Sequence, residues 1–282
     1  MSTLAKSREG VISDTAENLL KLHSEKKSDI SVMTPVLNVG AGSLSEMITK
    51  TGGAEIFTYV NDMLECIGPV VDKNKGRFVG LEDSGFTALF EGSCDDALKS
   101  AVSMCQYAAN NTNRRFRFSE LTVGISCGTV YSGSVGFGDY SLPLVISECT
   151  RTAAYLRNIA EKYNARILIT ESAADNIPNF FSEFNSRRLG KILYHKNGQS
   201  EFIYDVFDGD SIDVKNAKRR GKLFFETGVD KFIEGKYDVA RSYFIELIKS
   251  YRNDSAAKEY LLLCDKCLNE RASSERSYLE IW

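Results

Sequence analysis

The chain has 282 residues, enough for one large domain with an accessory element or for two modest domains. Its hydrophobic content of 43% and charged content of 26% suit a globular protein in water, and a net charge of −3 offers no basic footprint for nucleic acid. No apolar run approaches the roughly 18 to 20 residues of a membrane span, and the start, MSTLAKSREG, lacks the apolar core of a signal peptide, so the expectation is a cytoplasmic protein.

Residues 1–28 read as a polar lead-in, with Asp14 as a helix cap and Leu19, Leu20 and Leu22 as an apolar stripe. The alternation in Asp29 to Leu37, DISVMTPVL, predicts a first strand. Ile56 to Val71 predicts a long helix that Gly68-Pro69 should kink or end early. Asp95 to Asn111 is helical by pattern, with Ala97, Leu98, Ala101, Met104, Cys105 and Ala108 on one face, and the asparagine-rich run from Asn110 to Asn113 breaks it.

The most informative stretch is 121–156, LTVGISCGTVYSGSVGFGDYSLPLVISECTRTAAYL. Five glycines, Gly124, Gly128, Gly133, Gly136 and Gly138, punctuate an alternating apolar run ahead of an amphipathic helix. Such density inside strand-like sequence marks tight turns or close backbone approach, because only a residue without Cβ fits. Further on, Asn197-Gly198 is a hairpin signal between alternating strands. Residues 208–222 are polar and turn-rich, as a linker would be.

From Leu223 to Leu268 the chain is helical by pattern, and the run from Gly235 to Phe244 resembles a tetratricopeptide-type helical hairpin. In it Gly235 and Ala240 would permit close helix approach, and Tyr237 and Phe244 would fill the space between helices. A second helix from Ser255 offers Tyr260, Leu261, Leu263 and Cys264. One such unit cannot build a solenoid, so residues 223–270 are expected to pack on the preceding domain or on a partner. The tail, 271–282, ends in Tyr278-Leu-Glu-Ile-Trp282, which either frays or docks its aromatic end.

The seven cysteines read as reduced thiols, several on apolar faces. Cys264 and Cys267 form a C-x-x-C inside a helical pattern without a second pair. The two histidines, His23 and His195, lie far apart, so no four-ligand zinc site is evident.

The glycine spacing of 121–156 resembles the second half of a class III adenylate and guanylate cyclase catalytic domain, G-I-H-x-G-x-x-x-x-G-x-V-G followed by V-N-x-A-A-R-L. The 16 residues from Gly136 to Arg151 need no gap. KGRFVGLEDSGFTALF, Lys75 to Phe90, resembles the family's hairpin. YNARILITES, Tyr163 to Ser172, and LGKILYHKNGQSEFIYDVF, Leu189 to Phe207, resemble its later segments. The resemblance covers residues 29–207. It implies an α+β fold with a ferredoxin-like core, a mixed sheet and flanking helices, to which the tetratricopeptide-like run adds a small C-terminal α-helical hairpin.

It also implies which residues the reaction needs. The family's first metal-binding aspartate falls at Val36 or Leu37, depending on a small gap, and no acidic residue occurs from Ile30 to Ser45. A hard divalent cation takes oxygen ligands, which neither side chain offers. The second metal-binding aspartate falls at Ser84 in an ungapped alignment. An alternative alignment brings Glu82 or Asp83 near that turn, where both otherwise read as solvated acids. Two-metal chemistry calls for a pair of acids holding ions about 3.5 to 4 Å apart. The base-reading positions fall at Gly80 and Leu144, the ribose-orienting asparagine at Arg151, and the phosphate-stabilising arginine at Tyr155. Arg151 is four residues from Tyr155 on a helix, about 6 Å along the axis, so it would need an altered substrate pose to replace it.

The family's active sites form between two subunits, one giving the metal ligands and the other the asparagine and arginine. This chain departs from both halves. Three functions follow as expectations. The first is a catalytically inactive cyclase-like subunit with no cofactor and no metal, acting by protein contacts with another cyclase-like domain or a scaffold partner, in a signalling or cytoskeletal setting. The second is a rewired cyclase using Glu82 or Asp83 with Arg151. The third is a nucleotide sensor without turnover.

Overall fold

The computed structural model describes residues 29–41, 53–82, 85–110, 121–137, 140–194, 198–269, 278 and 280–281. The expected lead-in, 1–28, lies outside them, as do His23, His195 and Trp282.

Nine strands form one mixed sheet among the described residues: β1 (Asp29–Gly40), β2 (Gly76–Glu82), β3 (Gly85–Phe90), β4 (Thr122–Phe137), β5 (Tyr140–Ile146), β6 (Ile167–Thr170), β7 (Ser186–Leu193), β8 (Ser200–Val206) and β9 (Glu280–Ile281). The order is β2-β3-β1-β4-β6-β8-β7-β9, with β5 paired to β4 off that path. The β4–β6 and β7–β9 pairs are parallel, and the other pairs are antiparallel.

Successive residues of a strand point to opposite faces, and each face of this sheet has its own helical cover. On the first, Leu37 and Val39 of β1 and Val123, Ile125 and Cys127 of β4 share a core with α1 (Gly53–Lys73) and α2 (Cys94–Asn110). The six α2 residues expected on one face, Ala97 to Ala108, are all buried there. Helix α1 continues through Pro69 to Lys73 rather than ending at Gly68-Pro69. Ile67 and Val71 on either side are fully buried, so packing of the apolar face outweighs the hydrogen bond that proline forfeits.

On the second face lies α3 (Glu148–Lys162). Ser147 caps it: its hydroxyl accepts from the Cys149 N–H at 3.0 Å and donates to the Thr129 carbonyl at 2.8 Å. Gly124 makes this packing possible. A Cβ there would stand 2.0 Å from the Ala153 carbonyl oxygen and 2.6 Å from the Arg157 nitrogen. Two short helices, α4 (Glu171–Ala174) and α5 (Phe180–Glu183), follow β6.

Three C-terminal helices complete the second face: α6 (Ile212–Ile233), α7 (Tyr237–Ser250) and α8 (Ser255–Asn269). Their core is continuous with the sheet. Leu156 of α3, Tyr163 at its C-cap, Leu168, Leu189 and Ile203 of the strands, and Phe225, Phe232, Phe244, Tyr260 and Cys264 of the helices belong to one buried cluster. Phe244 stacks on Tyr260 at 4.8 Å between centroids, and the Tyr260 hydroxyl donates to the Leu189 carbonyl at 2.7 Å.

Two expectations change here. Residues 208–222 are not an open linker, because α6 begins at Ile212 and buries Ala217 and Lys218. Gly235 serves conformation rather than close approach: its φ is +75°, and a Cβ there would meet nothing within 4 Å. The close approach is at Gly228 instead, where a Cβ would stand 2.9 Å from the Phe244 ring. The tail reaches the sheet, where Glu280 and Ile281 pair with Ile192 and Leu193 of β7.

A buried charge network joins sheet and helices. Arg187 of β7 donates from Nε to Asp205 of β8 at 3.0 Å, and from Nη1 and Nη2 to Asp254, at the start of α8, at 2.6 and 3.1 Å. Its guanidinium lies 4.1 Å from the Phe225 ring centre. Lys218 of α6 pairs with Asp205 at 2.9 Å and Asp210 at 2.7 Å. Burial by itself raises the Asp254 carboxyl, but the Arg187 charge and hydrogen bonds outweigh it and leave its pKa below the ordinary 3.8. Asp210 goes the other way, raised by burial that Lys218 offsets only in part. The charges are thus paired or hydrogen-bonded, which is the condition for keeping them inside.

Candidate functional site

Val36 and Leu37 lie mid-strand in β1 and both are 0% exposed, on opposite faces of the sheet. Leu37 points into the core under α1 and α2, whereas Val36 packs with Leu89, Val130 and Ala153 beneath α3. Whichever of the two stands at the first metal-binding position, the side chain is aliphatic and dry. These β1 positions do not fit a divalent cation.

The small cluster around Val36 draws on each neighbouring element. Val79 comes from β2 beside Gly80, Val145 from β5 beside Leu144, and Ala153 from α3 between Arg151 and Tyr155; Cys149 completes it. The residues next to Gly80, Leu144, Arg151 and Tyr155 therefore meet Val36 in an apolar plug, and those four residues are not part of it. Gly80 is exposed and follows a bulge at Val79. Arg151 is exposed on the first turn of α3, and Tyr155, half-buried, packs against the core of the C-terminal helices. Burial pushes the Cys149 thiol up, with hydrogen bonds to Ser147 and Ser126 opposing, so this cysteine is not an activated nucleophile.

Sequence reasoning passed over Asn38. It is buried in β1 one residue beyond Leu37, and its Nδ2 donates to Thr87 Oγ1 at 2.9 Å. Its Oδ1 accepts no hydrogen bond among the described residues. A polar residue following two aliphatic ones in a strand interior was the available signal. One neutral amide oxygen does not replace a pair of carboxylates. Glu82 ends β2 in an exposed position, and Asp83 and Ser84, the next two residues in the sequence, lie outside the described residues. Among the described residues no group of three or more His, Cys, Asp or Glu is placed to hold a metal ion. Cys264 and Cys267 both lie buried in α8.

Leu144 belongs to a different surface. In the β4–β5 ribbon, Tyr131 pairs with Ile146, Gly133 with Leu144 and Val135 with Leu142. These alternate pairs share one face of the ribbon, and its five large apolar side chains are 40–67% exposed.

The order of strands and the cover of helices, with the glycine-bearing β4 at the sheet's centre, make a specific pattern to compare. The adenylate cyclase of Anabaena cylindrica is 32% identical over 154 residues, 51% of this chain and 30% of that protein. The terminal-differentiation-specific adenylate cyclase of Dictyostelium discoideum is 25% identical over 220 residues, 74% of this chain and 10% of that protein. Among solved structures, a bacterial light-regulated adenylyl cyclase superposes with a TM-score of 0.55 at 11% identity, covering 78% of this chain and 71% of that one.

The chain is similar in sequence to curated adenylate cyclases and shares the fold of solved nucleotidyl cyclase domains. The guanylate cyclase domain of RhGC from Catenaria anguillulae, solved in complex with GTP, shares this cyclase fold with a TM-score of 0.51 at 12% identity, over 63% of this chain and 97% of that one. At such identities these structures speak for the fold alone. The chain spans a tenth and three tenths of the lengths of the two curated cyclases. No family model matches it. No described helix is long and apolar enough to cross a membrane.

Proposed function

We propose that the chain is a nucleotidyl cyclase-type protein without turnover, a regulatory, dimerising or scaffolding subunit that works through protein contacts. The observation that carries this reading is the pair Val36 and Leu37. Both alignments of the first metal-binding position place a fully buried aliphatic side chain where the reaction calls for a carboxylate. The phosphate-stabilising position is Tyr155, packed toward the C-terminal core, and the base-reading position Leu144 lies on an exposed apolar face. That face suits another protein surface better than a nucleotide: contiguous exposed apolar side chains gain by being covered. Another cyclase-type domain, as a homodimer or heterodimer mate, is the partner this reading favours, in a signalling or cytoskeletal assembly.

One observation favours a second reading. Both curated relatives are named adenylate cyclases. A rewired cyclase would use Glu82 or Asp83 with Arg151 to make a cyclic nucleotide. Isothermal titration of the purified chain with ATP and with GTP, in magnesium and in manganese, separates the readings. The inactive subunit gives no metal-dependent isotherm. Saturable binding without product would instead mark a sensor.

A further inference from the structure

Residues 212–269 hold twelve Lys and Arg against nine Asp and Glu, a net charge of +3 in a chain whose total is −3. Part of that excess gathers around one groove. Ile245, Ile248 and Lys249 of α7, Arg252 in the following turn, and Lys258 and Leu261 of α8 line a cleft of about 510 Å³. The spacing explains the arrangement, because residues three and four apart share a helix face. Ile245 and Ile248 thus stand in a row on α7, facing Leu261, and all three are half-buried. The cations sit at the rim. Lys249 is paired with Glu246 at 2.6 Å, whereas Arg252 and Lys258, both exposed, make no ion pair among the described residues. Leu262, four residues beyond Lys258, adds a 63% exposed aliphatic side chain beside the cleft.

We infer that this groove docks an acidic, apolar peptide segment of a partner protein, with aliphatic side chains on the isoleucine floor and carboxylates against Lys249, Arg252 and Lys258. Charge complementarity selects the sign of the partner. The recessed floor selects its shape: a peptide side chain reaches between two helices, and a flat bilayer does not. Desolvating the floor supplies affinity, and the rim charges supply selection and steering. The inference rests on the reading of the chain as a protein-contact subunit, but the groove lies on α7 and α8, not on the β4–β5 ribbon.

The test is fluorescence anisotropy of the full chain with a labelled peptide of three Asp-Glu-Leu-Leu repeats. Saturable binding that weakens as ionic strength rises is expected. The K249E/R252E/K258E variant should lose at least tenfold in affinity, and Lys73→Glu, an exposed charge on α1, should lose none. Three Lys-Arg-Leu-Leu repeats and three Asp-Glu-Ser-Ser repeats should both bind at least tenfold more weakly. The inference is overturned by absence of binding, by equal binding of either control peptide, by indifference to the triple variant, or by preference for phosphatidylserine vesicles over the peptide. Unchanged oligomeric state in the triple variant separates a failure of this groove from a failure of the dimer reading.

Discussion

The junction between sheet and C-terminal helices turns on Asp254, and replacing it gives a graded prediction. In Asp254→Ala the Arg187 guanidinium loses two hydrogen bonds, of 2.6 and 3.1 Å, and keeps only Asp205, which Lys218 already shares. The Ala257 N–H also loses its acceptor, so α8 loses its cap. Breaking a buried ion pair from one side costs about 3–5 kcal/mol, and a lost cap about 1 kcal/mol. Asp254→Asn retains an oxygen for the cap and should therefore cost about 1 kcal/mol less than alanine. The double variant R187M/D254L leaves neither charge stranded and should be more stable than Arg187→Met alone. Urea denaturation followed by far-UV circular dichroism measures all four variants, and thermal melts should show a fall of roughly 10 °C in Tm for Asp254→Ala. If Asp254→Ala and Arg187→Met both stay within about 0.5 kcal/mol of wild type, the network does not hold the helices to the sheet.

Other outcomes follow from the same structure. Ionised Asp254 contributes stability that is complete above its ordinary pKa of 3.8 and fades as pH falls through its lowered folded value. Asp254→Asn should flatten that acid arm of the stability profile in pH-jump denaturation. Gly124→Ala should destabilise by about 3 kcal/mol or more, since the new methyl meets backbone of α3 that cannot rotate away; calorimetry reads it, and a neutral result would contradict the packing. Leu142→Asp with Ile146→Asp should leave the fold intact and abolish self-association or association with a cyclase-type partner in analytical ultracentrifugation; unchanged association would remove the β4–β5 face from the account.

What could be read from sequence and what could not divide along physical lines. Period and turn chemistry are local, so the α2 face, the strand at β1 and the glycine-rich β4 were legible, and Gly124 behaves as a glycine set for close approach. Gly133 instead lies within the long β4 strand, opposite Leu144, because the ribbon runs on without a turn there. The start of α6 at Ile212 was hidden by composition. Lys218 reads as a linker charge until Asp205 and Asp210 are brought beside it. The Arg187 network joins residues 18 to 67 positions apart, which no local pattern reveals. At the candidate site the identities of residues 36 and 37 were plain from sequence. Their burial on opposite faces, and the plug of Val79, Val145 and Ala153 around Val36, needed the fold.

The most direct measurement is turnover. Purified chain is incubated with ATP or GTP and magnesium or manganese, and cyclic nucleotide is quantified by mass spectrometry. The account predicts no product above the protein-free control, with Asp83→Ala indistinguishable from wild type. Cyclic AMP or cyclic GMP that accumulates with enzyme concentration and disappears in Asp83→Ala would contradict it.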